Sequence, residues 1–172
     1  MTAEELLKRY AAGERNFKGA KLKNLDFGSV DLSDIDLTNT SISNVKFDGT
    51  NLSRVILDRA KITSTHFFLT NLQEANLKEV NMFGVYVEKA NLKKVRIVDS
   101  SFVECTFEEV NLEQAFIKNN LWGDTTKFSD VNLKKAIWQE IDEYPLRRET
   151  IMPDGEIVTD MIELPDGSKI FP

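Results

Sequence analysis

The stretch TNLQEANLKEVNMFGVYVEKANLKK, residues 70–94, places a large apolar residue at every fifth position: Leu72, Leu77, Met82, Val87 and Leu92. An α-helix repeats every 3.6 residues and a strand every two, so neither produces a beat of five. Outward from this stretch the spacing holds without a miss from Phe17 to Ile117, twenty-one times in a row. One residue is inserted after Trp122, and the beat resumes at Phe128, Leu133 and Trp138. The chain reads as a coil of five-residue units.

A second period lies inside the first. Every fourth unit gives the series Phe27, Phe47, Phe67, Val87, Phe107 and Phe128, and the next series is Leu32, Leu52, Leu72, Leu92, Leu112 and Leu133. Like residues thus recur every twenty positions, which implies four sides per turn. Each leucine of that series is preceded by Asp31, Asn51, Asn71, Asn91, Asn111 or Asn132, a polar ladder beside the apolar one. Short units that stack on their neighbours are the signature of a solenoid, in which no single repeat buries its apolar face alone.

The position two before each large residue is Ala, Val, Thr, Ser, Cys or Ile at nearly every unit, as expected where only a small or β-branched side chain fits a packed interior. Leu25 is large for that slot and Asn120 is polar. All four prolines, at 145, 153, 165 and 172, fall outside the repeats, where they remove no ladder hydrogen bond.

Ala-Asn-Leu at 75–77 and 90–92, Val-Asn-Leu at 110–112 and 131–133, and Thr-Asn-Leu at 50–52 and 70–72 resemble the motif of the pentapeptide repeat family. The resemblance implies an all-β fold, a right-handed quadrilateral β-helix of about six coils. In that fold the large residue and the small one two positions earlier both point inward. The opening Glu-Leu-Leu-Lys-Arg-Tyr-Ala-Ala-Gly-Glu-Arg-Asn-Phe at 5–17 also resembles the start of many cyanobacterial members. Six turns at the strand spacing of ~4.8 Å make a rod roughly 29 Å long.

Both ends of such a rod expose apolar surface and unpaired backbone, so caps are expected. Thr2-Ala3-Glu4-Glu5 is a capping-box pattern, and Leu6, Leu7 and Tyr10, with Gly13 at the end, describe a short amphipathic helix. At the other end Pro153-Asp154-Gly155 and Pro165-Asp166-Gly167 are tight-turn signals flanked by apolar residues, consistent with two hairpins over the last coil. The expected organisation is a capping helix at 1–16, the repeat coil at 17–138 and an acidic tail or cap at 139–172. A monomer or an end-to-end homodimer is the expected state in solution.

The chain has 22 basic and 28 acidic residues, a net charge of −6. The coil is balanced, and the excess lies in the tail. Some pentapeptide repeat proteins protect or inhibit DNA gyrase by imitating duplex DNA, and such a mimic should be acidic along its length. Here only the Phe-containing side is biased, with outward Asp26, Asp48, Glu88, Glu108, Glu109 and Asp130 against Lys46, Lys89 and Lys127. Inhibition or protection of a type II topoisomerase is therefore the second reading. The basic pairs Lys93-Lys94 and Lys134-Lys135 are flanked by Glu74 and Glu113, which argues against nucleic acid.

The only histidine is His66, so no histidine pair, two-histidine metal site or serine–histidine–aspartate set can form within one chain. Gly28, Gly49 and Gly84 stand singly at corners and form no phosphate loop. Cys105 falls in the inward small row, as a packed and inert thiol. No enzyme activity, cofactor or metal is expected. The sequence shows no basic leader followed by an apolar stretch and no apolar run of membrane-spanning length, so the expected location is the cytoplasm, away from membranes.

In this register most outward positions are polar, yet His66, Phe68, Leu69, Phe83, Tyr86 and Val103 face out. The twenty-residue period sets His66 beside Tyr86, and Phe83 beside Val103 around the adjoining corner. A contiguous exposed patch with aromatic anchors marks a protein contact. The function expected is a non-enzymatic protein-binding scaffold that presents a rigid four-sided surface.

Overall fold

A computed structural model of the chain describes residues 1–123, 125–139, 146–148, 150–155, 157–158, 162–163 and 169–170. Backbone pairing links each residue to the one twenty positions on, from Asn16 with Asp36 to Trp122 with Phe102. Beyond the insertion the offset becomes twenty-one, as in Phe107 with Phe128 and Ile117 with Trp138. The extra residue is absorbed at the corner after Trp122, where Gly123 N still donates to Phe102 O and Thr126 N closes a turn onto Gly123 O. The result is a parallel β-solenoid of about six turns with one short helix.

The four sides differ in how their backbone is held. We number them by their central residues: the first side runs through Leu22, Ile42, Ile62, Met82, Phe102 and Trp122, and the second through Phe27, Phe47, Phe67, Val87, Phe107 and Phe128. Together these two form one continuous sheet wrapped around their shared corner. The fourth side forms a sheet from Asn76–Lys78, Arg96–Val98, Phe116–Lys118 and Ile137–Gln139. The third side, the Leu32 series, has only single bridges at the asparagine column.

That column explains the third side. Each Asn side-chain oxygen accepts from the backbone N–H two residues on, as in Gln73 N to Asn71 Oδ1 at 3.2 Å and Lys93 N to Asn91 Oδ1 at 3.1 Å, which turns the chain locally. The amide then donates to the coil before it: Asn51 to Asp31 at 2.8 Å, Asn71 to Asn51 at 3.0 Å and Asn91 to Asn71 at 3.2 Å. Asp31 begins this ladder and has nothing earlier to donate to, so a carboxylate that only accepts suffices there. Hydrogen bonding from Ser33 and Asn51 holds its carboxyl below the ordinary aspartate range.

The core is the column of central residues and the column of small residues two positions before them, almost all buried. Phe27, Phe47 and Phe67 stack along the rod with ring centres 5.2 and 5.3 Å apart and planes within 12°. Small-row polar residues fit because their side chains satisfy the backbone of the neighbouring coil. Thr50 Oγ1 donates to Gly28 O at 2.6 Å, and Ser100 Oγ to Leu77 O at 2.7 Å. Asn120 accepts from Ser100 N at 2.8 Å and donates to Ile97 O at 3.1 Å. The polar exception is thus a satisfied one, and Leu25, the large exception, packs half-buried against the core in the first coil. Cys105 is buried and unpaired, and burial pushes its thiol pKa up.

The rod begins under a helix spanning Ala3–Ala11, whose N-cap Thr2 accepts from Glu5 N at 3.1 Å. Leu6 is fully buried on the first coil, and Tyr10 Oη donates to Ser33 O at 2.9 Å. At the far end the ladder continues: Lys127–Ser129 pairs in parallel with Leu146–Arg148, and Asn132 bridges to Ile151. Leu133 N donates to Ile151 O at 2.8 Å and Lys135 N to Pro153 O at 3.0 Å. Thr150–Ile151 then pairs antiparallel with Ile157–Val158 through the Pro153-Asp154-Gly155 turn, and Ile162–Glu163 with Lys169–Ile170. The Pro165-Asp166-Gly167 signal itself lies outside the described residues.

Candidate protein-contact surface

Each unit turns a corner, and at nearly every described unit the residue two after the central one does so in the left-handed region; after Phe27 it is Gly28, one after, that has positive φ. Nineteen non-glycine residues among those described have positive φ, including Arg54, Glu79 and Leu69. Such φ values are uncommon for side chains of this kind and cost about 1–2 kcal/mol each in an unsupported chain. Stacking therefore imposes the corner on whatever residue arrives there. Glycine takes that place at Gly84, with φ +60° and open space where a Cβ would stand.

The corner between the first and second sides positions most of the candidate contact residues. His66 and Tyr86 are register partners on the second side, their rings 5.1 Å apart and tilted by 41°. Phe68 follows on the same strand as His66, since His66–Phe68 alternates outward, inward and outward around buried Phe67. Leu69 stands at the next corner with φ +52°. Phe83 lies across Gly84 and Val85 from Tyr86, on the first side, with Thr63 and Val103 as its register partners. Phe68, Leu69, Phe83 and Tyr86 are 36%, 56%, 46% and 44% exposed, whereas Val103 is half-buried. His66, Phe83, Tyr86 and Val103 thus gather about that corner, with Val103 a partly covered shoulder beside Phe83, while Phe68 and Leu69 lie at the other edge of the second side, one coil earlier.

Two further exposed apolar residues, Leu121 and Ile137, lie in the last coil. Both occupy the position before a central residue, so the register that exposes Tyr86 exposes them as well. Leu121 borders a groove of about 490 Å³ between Asp99 and Trp122. Asp99 in this groove already accepts from Asn119 Nδ2 at 2.7 Å. Among the described residues no group of three or more His, Cys, Asp or Glu comes together. No helix among them is long and apolar enough to cross a membrane.

Elsewhere on the rod, charges neutralise one another at the twenty-residue spacing. Asp34 pairs with Arg54 at 2.6 Å, Arg59 with Glu79 at 2.7 Å, Lys93 with Glu113 at 3.1 Å, Glu74 with Lys94 at 3.6 Å and Lys89 with Glu109 at 3.5 Å. The Arg54 guanidinium holds the Asp34 carboxyl below its ordinary range, and Arg59 does the same to Glu79. Asp58 is the contrary case. Burial raises its pKa, and one of its carboxylate oxygens is enclosed with no hydrogen-bond partner among the described residues.

A model of pentapeptide repeats matches residues 16–54 in eight copies. No curated protein matches the chain. Among solved structures it is similar to Rfr23, a pentapeptide repeat protein from the cyanobacterium Cyanothece 51142. The two are 21% identical, the match covers 78% of this chain and 98% of that one, and the TM-score is 0.51. It is similar also to HetL, a pentapeptide repeat protein involved in heterocyst differentiation regulation from the cyanobacterium Nostoc sp. strain PCC 7120, at 17% identity, 91% and 99% coverage and a TM-score of 0.46. Full-length QnrB1, a plasmid-mediated fluoroquinolone resistance protein, is 16% identical, with 80% and 81% coverage and a TM-score of 0.40. At these identities the likeness is one of fold. Residues 16–54 carry the repeats of the pentapeptide family, and the same five-residue beat is continued to Trp138 by pairing between coils.

Proposed function

We propose that this protein is a non-enzymatic, cytoplasmic protein-binding scaffold whose contact surface is the second side and its corner with the first, carrying His66, Phe68, Leu69, Phe83, Tyr86 and Val103. The observation that carries the reading is the exposure of four large apolar side chains within two neighbouring coils of a rod whose other outward positions are mostly polar. Rigid aromatic anchors contribute strongly to interfaces because they bury large area at small cost in side-chain entropy. Here each anchor is fixed by a backbone ladder on both sides, so a partner meets a preorganised surface.

Replacing Phe68 and Tyr86 together by Ser tests this. Both are outward, so circular dichroism should be unchanged. Capture of a partner from the native cell extract should weaken at least tenfold, as expected for two anchors worth ~2 kcal/mol each. Undiminished capture would place the contact elsewhere. The topoisomerase reading is separated by a DNA gyrase supercoiling assay, in which the scaffold reading expects neither inhibition nor protection at stoichiometric protein.

A further inference from the structure

The sheet formed by the first and second sides changes character along the rod. In the first three coils it carries Lys21, Lys23, Lys46 and Lys61, all exposed. Most cations of the later coils that face a carboxylate are paired with it, yet none of these four forms an ion pair among the described residues. Asp26, the register partner of Lys46, turns its carboxylate to the backbone N–H of Gly28 at 3.1 Å. Asp48 is half-buried two residues beyond Lys46. In the next two coils the same sheet carries Phe83, Tyr86 and Val103.

Two columns make this change in parallel. One runs Lys23, Ser43, Thr63, Phe83, Val103, and the other Asp26, Lys46, His66, Tyr86. Between them the corner is Asn24, Asn44, Ser64 and Gly84, small or amide residues without charge, with Asn44 Nδ2 donating to Asn24 Oδ1 at 2.9 Å. Gly84, without a side chain, leaves open space between Phe83 and Tyr86. From Lys23 to Phe83 is three coil spacings, about 14 Å, the reach of four or five residues of extended chain.

We propose that this edge docks an acidic, apolar-anchored protein segment, lying along the rod with one large apolar side chain over Gly84 between Phe83 and Tyr86 and its carboxylates over Lys23, Lys46 and Lys61. The proposal rests on the protein-binding reading and names the chemistry of the partner. Charge complementarity selects the acids, and the aromatic pair selects the anchor. A nucleic-acid strand fits the edge less well, because Glu88, Glu104 and Glu108 border the aromatic half and would repel phosphates while leaving an apolar side chain unopposed.

The test is selection from a random peptide library displayed on phage, against the wild type, a Lys23→Ser/Lys46→Ser/Lys61→Ser variant and a Phe83→Ser/Tyr86→Ser variant. The wild type should select peptides with Asp or Glu within about five residues of Phe, Trp or Leu. A synthetic peptide of the consensus should bind at least tenfold more weakly to each variant, and binding should fall as salt is raised from ~50 to ~500 mM. Peptides without acidic enrichment that still need Phe83 and Tyr86 would overturn the acidic partner while leaving the contact surface in place. Peptides indifferent to both variants, or no selection above background, would overturn both. Tighter binding of single-stranded oligothymidine than of the peptide, lost in the lysine variant, would assign the edge to nucleic acid instead.

Discussion

Replacing Asn71 by Ala measures what the asparagine ladder contributes. In the native chain the Asn71 side chain makes three hydrogen bonds: it accepts from Gln73 N at 3.2 Å and from Asn91 Nδ2 at 3.2 Å, and it donates to Asn51 Oδ1 at 3.0 Å. At about 0.5–1.5 kcal/mol each the loss lies between roughly 1.5 and 4.5 kcal/mol, and partial solvation of the site sets the expectation near ~2 kcal/mol. For a chain of this size that is a fall in Tm of roughly 4–8 °C. Asn81→Ala is the matched control, since Asn81 holds the same place in its unit but is exposed and makes no side-chain hydrogen bond among the described residues. Its effect should stay within ~0.5 kcal/mol. Thermal and denaturant melts followed by circular dichroism compare the two. Equal effects, or a neutral Asn71→Ala, would refute the assignment of a structural role to the ladder.

Leu69→Gly relieves a leucine held at φ +52°, so the melt should rise by an amount worth ~0.5–1 kcal/mol while partner capture weakens; a fall in Tm would contradict the strain argument. Asp58 has a folded pKa raised by burial, so its ionised form opposes folding and the opposition fades as pH falls through that raised value. Asp58→Asn should therefore stabilise at neutral pH, with an advantage that shrinks on acidification; an advantage that grew would reverse the sign. Asp34, Glu79 and Glu113 have lowered folded pKa values, so their contribution is complete above the ordinary carboxylate range and is lost as pH drops through it, which puts the onset of acid destabilisation below about pH 4.5 in low salt. Deleting residues 139–172 removes the acceptors of Leu133 N and Lys135 N and uncovers the buried Leu133, so sedimentation should show end-to-end association; a truncated chain that stayed monomeric and equally stable would deny the tail a capping role.

The coil was legible because its signal is a strict spacing: the beat of five and the period of twenty follow from packing alone, and each central residue they pick is inward. The polar members of the small row were harder to place. A buried Asn120 violates the hydrophobic pattern, and only the coil on which it stacks reveals the backbone groups that satisfy it. The left-handed corners were illegible for a related reason, since Arg54, Glu79 and Leu69 carry no preference for positive φ and adopt it under the constraint of stacking. At the surface, spacing located Phe68, Phe83 and Tyr86, and applied evenly it would have located Leu121 and Ile137. Charge summed by side hid the more informative division. Net values near zero do not distinguish Lys93, paired with Glu113, from Lys23, which is paired with nothing described.

We propose that a partner protein sits on the second side of the rod and its corner with the first. Site-specific photo-cross-linking tests it most directly, with a photoreactive phenylalanine analogue placed at Tyr86 and, on the third side of the rod, at exposed Gln114. Irradiation in the native cell should give a discrete adduct from position 86 and none from position 114. Adducts from position 114 alone, or from neither position, would contradict the account.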